Sequence, residues 1–314
     1  MAVMEQRPAK PSIAVVGSLN IDLIAYIQRV PNAGETLIGD DFQMGFGGKG
    51  ANQAVMAARL GASVSMVGAL GDDVYADMTF ENLERQDVAA RHVARVRGSS
   101  GVAPIWVEPD GSNRIIVIPG ANDLVDPDTA AAAIRSMTGV GAVIGQLEIP
   151  QRVTLAAFRA AREVGATTIL NPAPAAPIDP ELFTIADWLI PNEHELALVA
   201  GGAIDLDDDQ ALIACARRLG PQLVVTLGAR GAAVVGLDRV DRLPATPVQA
   251  VDSTGAGDGF VGSFAFGLAS GLDEVRASRL GIACASDSVT RHGTQSSYAS
   301  PEQARAIVER VLGG

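Results

Sequence analysis

The stretch Ala142–Leu170, AVIGQLEIPQRVTLAAFRAAREVGATTIL, decides the fold. Ala142–Gln146 is a short apolar run that reads as a buried strand. Gln151–Val164 reads as a helix, and Thr167–Leu170 as a second strand. Two strands joined by a helix of this length form the repeating unit of a parallel sheet.

The same alternation extends in both directions. Upstream, Ser12–Gly17 and Ser63–Leu70 read as strands, Ala51–Leu60 and Asp72–Gln86 as helices, and Asp126-Pro127 as an N-cap opening a helix through Met137. Downstream, strands are expected at Asp187–Ile190 and Leu223–Leu227. Helices are expected at Glu193–Ala200, Asp207–Leu219, Gly257–Ser270, Asp273–Thr290 and Pro301–Leu312. The pattern implies an α/β fold whose mostly parallel sheet is covered by helices on both faces. Residues 22–44 and 93–118 break it. They read as short strands with turn signals at Pro31-Asn32 and Asp110-Gly111, and imply a small antiparallel sheet projecting from one main domain over residues 12–312.

Composition excludes several function classes. The 314 residues carry a net charge of -12, the wrong sign for a protein that binds nucleic acid by releasing counterions. With 8 Phe, 2 Trp and 3 Tyr, a base-stacking surface is not expected either. The longest uncharged stretches, around Gly165–Ile178 and Gly259–Leu272, contain Gly or Pro and fall short of the about 18–20 apolar residues that span a bilayer. No secretory signal is visible in residues 1–11, and Cys215 and Cys284 have no metal-like spacing. The expectation is a cytoplasmic protein with ordinary buried thiols. His92, His194 and His292 are read as surface or structural residues.

Two windows concentrate glycine: Gly45–Gly50 (GFGGKG) and Gly255–Gly262 (GAGDGFVG), each with four. Both contain the spacing G-x-G-x-x-G. Neither has the preceding strand and the acid about 20 residues on that a dinucleotide site requires, and Lys49-Gly50 is not a phosphate-loop Lys-Ser/Thr. The second window leads from Thr254 into a helix, so backbone N–H groups and the helix dipole converge there as an anion site. Asp258 at its rim would repel a bound phosphate. It makes sense as a base that takes a proton from an attacking hydroxyl while the amides hold the transferred group. A first-turn acid favoured by the dipole is the alternative.

Asp252–Asp258 (DSTGAGD) and Gly45–Ala54 (GFGGKGANQA) resemble the two signatures of the ribokinase-like, or phosphofructokinase-B type, carbohydrate kinases. Further pieces agree in order: Gly17–Asp22, Pro31–Thr36, Pro119–Asn122, Gln146–Glu148, Asn171–Pro174, Pro191–Glu195 and Thr226–Gly231. The match runs from about residue 12 to 312. It implies the three-layer α/β/α fold of that family, with the projecting sheet as a lid over the sugar.

The resemblance also implies residue roles. Asn20, Asp22, Gly47, Gly48, Lys49, Asn52 and Glu148 would bind a sugar, D-ribose being favoured, with 2-deoxyribose, fructose and adenosine as alternatives. Asp258, with Gly255, Ala256 and Gly257, would carry catalysis at the 5-hydroxyl. ATP and Mg²⁺ would meet Asn192, Glu195, Thr226, Gly228, Arg230, Gly231 and Gly257. Asn192 and Glu195 also read as a capping box by their N-x-x-E spacing. A monovalent cation, K⁺, would lie near Asp252, Thr254, Ser288, Arg291, Gly293 and Ser297. Ile282 stands where some relatives place a His near the adenine. A homodimer through the lid is implied, as is a distant alternative, a non-catalytic sugar-binding protein.

Overall fold

The structure is a computed structural model and describes residues 10–313. Chain order begins with strands β1 (Ser12–Val16), β2 (Asn20–Tyr26) and β3 (Asp41–Gly47), helix α1 (Lys49–Arg59), β4 (Ser63–Leu70), α2 (Val74–Arg85), β5 (Val88–Arg95), β6 (Gly101–Val107) and β7 (Asn113–Ile115). It continues through α3 (Pro127–Ser136), β8 (Ala142–Gly145), α4 (Gln151–Glu163), β9 (Thr167–Leu170), α5 (Pro180–Ile185), β10 (Trp188–Leu189), α6 (Glu193–Ala200), α7 (Asp209–Leu219) and β11 (Gln222–Thr226). It closes with β12 (Ala232–Val235), β13 (Val240–Leu243), α8 (Ala256–Ala269), α9 (Glu274–Ser288) and α10 (Pro301–Leu312).

The main sheet has nine strands in the order β13-β12-β11-β10-β9-β8-β1-β4-β5. Neighbours from β11 to β5 are parallel, while β12 and β13 add an antiparallel edge. The central parallel strands are apolar on both faces because each face is covered. On β1, Ile13 and Val15 pack into the core formed with α1, α8 and α9, whereas Ala14 and Val16 pack into the core under α3, α4 and α7. Phe264 fills the first core and Phe158 the second, both fully buried. Helix starts follow local chemistry. Asp126 accepts the Thr129 N–H at 2.8 Å with Pro127 as first helical residue, and Asp273 accepts from the Arg276 N–H at 2.8 Å. Among the described residues no helix is long and apolar enough to cross a membrane.

A second sheet, ordered β3-β2-β6-β7, stands apart from the first. It is mixed rather than antiparallel, because β2 and β6 pair in parallel. Both strands leave the main sheet in the same direction, β2 directly after β1 and β6 after β5, so they run side by side. The segment read as 93–118 also begins too early. Val88–Arg95 pairs with β4 as the edge strand of the main sheet, and its charged residues face solvent. The small sheet joins the body at Asn20, Gly47 and Gly101, which are in register. Residues at that end of β2 and β3 therefore sit over the carboxyl ends of the main strands, where open α/β sheets bind ligands.

Candidate active site

Asp258 lies in the first turn of α8, buried at the meeting point of the two sheets and α1. The Asn52 amide N–H donates to its Oδ2 at 3.0 Å, and the Gln53 amide donates to its Oδ1 at 2.9 Å. Gly255 caps the helix with φ +75°, a left-handed conformation that glycine adopts without strain. Its carbonyl accepts the buried Tyr298 hydroxyl at 2.8 Å. Burial first, and the Asp258 carboxylate second, push the Tyr298 phenol well above its ordinary range. The Ala256 N–H is spent on the Ser253 carbonyl at 3.2 Å, whereas the Cα of Gly257 faces open space. Of the residues expected to form an anion hole, Gly257 is the one that opens onto both cavities, Gly255 lining the smaller and Ala256 the larger.

The residues expected to bind the sugar converge on Asp258 from β2, α1 and the β8–α4 loop. The Glu148 carboxylate accepts the Lys49 backbone N–H at 2.9 Å and the Ser18 hydroxyl at 2.5 Å. Asp22 packs against Gly47: a Cβ there would stand 2.3 Å from the Asp22 Oδ1, so any side chain at this position of β3 would displace the Asp22 carboxylate. Burial raises the Asp22 carboxyl to about 7, and the carboxylates of Glu148 and Asp258 add to the rise. Lys49 is pushed up, chiefly by Asp258, with burial opposing and Glu148 and Glu195 assisting. Gly48, in the turn between β3 and α1, lies against the backbone of Ser18 and Asn20. Asn20 is held by the Asn122 amide, which donates to its Oδ1 at 2.8 Å. The sequence reading put Asn52 on the sugar; here both ends of its amide are engaged, one with Asp258 and one with Gln295.

Two cavities meet at this point. The smaller, about 210 Å³, is polar and lined by Lys49, Glu195, Gly255, Gly257 and Asp258 among others. The larger, about 850 Å³, is mostly apolar and holds Gly228, Gly231, Phe260 and Ile282 in its walls. Asn192, Thr226 and Gly257 line both, which makes one continuous cleft. Asn192 and Glu195 form the expected capping box of α6: Glu195 accepts the Asn192 N–H at 2.8 Å, and the Glu195 N–H donates back at 2.8 Å. Burial raises the Glu195 carboxyl, with the Asn192 N–H and Lys49 pulling the other way. Arg230 is not among the cleft residues; its guanidinium is exposed and pairs with Glu193 at 2.8 Å and Asp207 at 3.2 Å.

The residues expected around a monovalent cation form one loop system. Asp252 accepts from the Thr254 hydroxyl at 2.6 Å, the Thr254 N–H at 2.9 Å and the Gly293 N–H at 2.9 Å. Burial acts to raise the Asp252 carboxyl, but these bonds outweigh it and hold it below the usual range. Arg291 donates to the Ser297 carbonyl at 2.8 Å and pairs with Asp287. The Ser288 and Ser297 hydroxyls are turned to the carbonyls of Ala285 and Thr294. Ligands here would be main-chain oxygens. Among the described residues, no group of three or more His, Cys, Asp or Glu is arranged to hold a metal ion.

Several residues at the site carried no role in the sequence reading. Gln53, Asn82 and Gln295 are buried and reach Asp258 directly or through one or two other amides. Gln146 and Asn171, present in the family motifs, bond to Gln53. The signal available was an amide pair, Asn52-Gln53, inside an otherwise apolar helix.

The pfkB family carbohydrate kinase model matches residues 10–301. A deoxyribokinase from Salmonella typhi is 40% identical over 297 residues, covering 93% of this chain and 96% of that one. A ribokinase from Lactococcus lactis is 37% identical over 300 residues, covering 95% and 97%. The structure of Arabidopsis thaliana ribokinase complexed with ribose and ATP superposes with a TM-score of 0.86 at 31% identity, over 96% of this chain and 99% of that one.

Proposed function

The chain belongs to the pfkB family of carbohydrate kinases, and from that premise we propose that it transfers the γ-phosphoryl group of ATP to the 5-hydroxyl of D-ribose. The observation that carries this reading is the position of Asp258. It stands where the polar sugar side, the small cavity and the large cleft meet, with both carboxylate oxygens oriented by amide donors.

The chemistry follows from that geometry. Asp258 accepts the proton of the sugar hydroxyl as its oxygen bonds to phosphorus and the bond to the leaving ADP oxygen breaks. The Gly257 N–H and the start of α8 stabilise charge on the transferred group. Ile282 and Phe260, in the wall of the larger cavity, would hold the adenine by apolar contact rather than by stacking on a His. Mg²⁺ supplies charge neutralisation at the phosphates when bound. It commonly keeps several waters and takes few protein ligands, which fits a site where Glu195 is the nearby carboxylate and is already bonded to Asn192. K⁺ would suit the Asp252–Gly293 loop system, with Asp252 as the carboxylate and main-chain carbonyls as the remaining ligands. Closure of the small sheet over the sugar keeps water from the γ-phosphate. The exposed Phe42 and Met44 on β3 and Ile115 on β7 suit pairing of two such sheets in a homodimer.

A second reading is 2-deoxyribose as substrate, favoured by the 40% identity to a deoxyribokinase. Ribose is preferred because Asp22, Lys49 and Glu148 crowd charged groups onto the sugar side. A ligand lacking a hydroxyl there leaves one unpaired. A coupled ATP-consumption assay across ribose, 2-deoxyribose, fructose and adenosine decides. The highest kcat/KM is expected on ribose; a higher value on 2-deoxyribose replaces the substrate while keeping the reaction, and no turnover on any of them overturns both.

A further inference from the structure

We propose that Gln295 and Asn82 are positioning residues for Asp258, acting through a one-way relay of buried amides. The proposal rests on the reading of Asp258 as the base. Asn82, on α2, donates from Nδ2 to the Gln295 Oε1 at 2.9 Å. Gln295 donates from Nε2 to the Asn52 Oδ1 at 3.1 Å, and Asn52 donates from Nδ2 to the Asp258 Oδ2 at 3.0 Å. All four residues are buried, with Asn52 at 4% exposure, Asn82 and Gln295 at 5% and Asp258 at 7%.

A primary amide has a donor end and an acceptor end, so a chain of them has a direction. The carboxylate of Asp258 accepts only, so Asn52 must present its N–H to it. That leaves the Asn52 oxygen facing away, where it needs a donor. Gln295 supplies that donor, and Asn82 fixes Gln295 the same way round. Reversing any link turns the Asn52 carbonyl oxygen toward the Asp258 carboxylate.

A second arm reaches the other carboxylate oxygen with the same logic. Asn171 is anchored by donating to the Ile190 carbonyl at 2.8 Å, and its Oδ1 accepts from Gln53 at 3.1 Å. Gln146 donates to the Gln53 Oε1 at 2.7 Å, and Gln53 donates to the Asp258 Oδ1 at 2.9 Å. The two arms come from α2, the 292–298 loop, the residue after β8 and the segment after β9, so the carboxylate is fixed by parts of the chain far apart in sequence. Gln295 sits between Gly293 and Ser297, which links the loop held by Asp252 to the reacting carboxylate.

The test is a mutant cycle with polarity-reversing and polarity-removing variants, read as kcat and sugar KM. Asn82→Asp presents an acceptor to the Gln295 oxygen and reverses the relay, while Gln295→Met breaks it. Asn82→Asp is expected to lower kcat about 10- to 100-fold with KM for the sugar within about threefold. Gln295→Met is expected to cost about tenfold. In the Gln295→Met background, Asn82→Asp has nothing left to reverse, so the double variant matches Gln295→Met alone. Losses that multiply, or an Asn82→Asp enzyme with wild-type kcat, overturn the relay. Should Asn82→Asp fail to fold, Gln295→Glu against Gln295→Met carries the test: Glu reverses Asn52 and must be about tenfold slower than Met, and equal losses overturn the proposal. Asp258→Asn assayed in parallel separates the two readings. Near-normal turnover there removes the base itself; an inactive Asp258→Asn with multiplying relay losses removes the relay alone.

Discussion

Asp22→Asn should make the empty protein more stable at high pH while weakening sugar binding. Asp22 is wedged against Gly47 beside the carboxylates of Glu148 and Asp258, and burial heads the causes that lift its carboxyl from 3.8 to about 7. In the unfolded chain the group ionises near its ordinary value. Between about pH 4 and 7 the unfolded state therefore holds fewer protons than the native one, and stability falls as pH rises. At about 1.4 kcal/mol per pH unit the loss reaches a plateau near ~4 kcal/mol above pH 7, an upper bound because the three carboxylates share the interaction. Asparagine keeps the shape and removes the charge. Calorimetric Tm of wild type and Asp22→Asn at pH 5 and pH 8.5 reads the difference, which cancels the titrating groups that do not interact with Asp22. For a chain of this size ~4 kcal/mol corresponds to roughly 6 °C. The variant's advantage should be small at pH 5 and grow toward that value at pH 8.5, and KM for the sugar should rise. A Tm difference that does not change with pH refutes the buried, crowded carboxylate.

Other consequences are open to simpler checks. A Cβ on Gly262 would stand 2.4 Å from the backbone oxygen of Gln53, so Gly262→Ala must push α8 from α1. The expected result is a loss of about 1–3 kcal/mol and a fall in kcat, since Gln53 holds Asp258; a higher Tm, the usual gain for Gly→Ala in a helix, contradicts this packing. Turnover in K⁺ should exceed that in Na⁺ at matched ionic strength, and equal rates remove the cation from the Asp252–Gly293 loop.

The main sheet was legible because its central strands are buried on both faces and read as short apolar runs, as in Ser12–Val16 and Ala142–Gly145. Local chemistry also fixed several helix starts, the Asn192–Glu195 capping box among them. What the sequence hid was long-range. Val88–Arg95 carries charges outward and looks like lid sequence, yet it pairs with β4 at the sheet edge. The parallel pairing of β2 with β6 depends on where each strand leaves the body, which no local pattern encodes. At the site, Asp258 and the glycine windows stood out by chemistry. The amides around it did not, because Asn82, Gln295 and Gln146 are single polar residues in ordinary surroundings, and their role exists only once the fold joins them.

The most direct test of phosphoryl transfer at Asp258 is the turnover of Asp258→Asn with saturating ribose and MgATP, alongside ribose affinity by calorimetry. Asparagine cannot take the hydroxyl's proton, so kcat should fall by about 10²–10⁴-fold while ribose affinity stays within about threefold. Turnover near that of the wild type would contradict the assignment of the base and, with it, the mechanism.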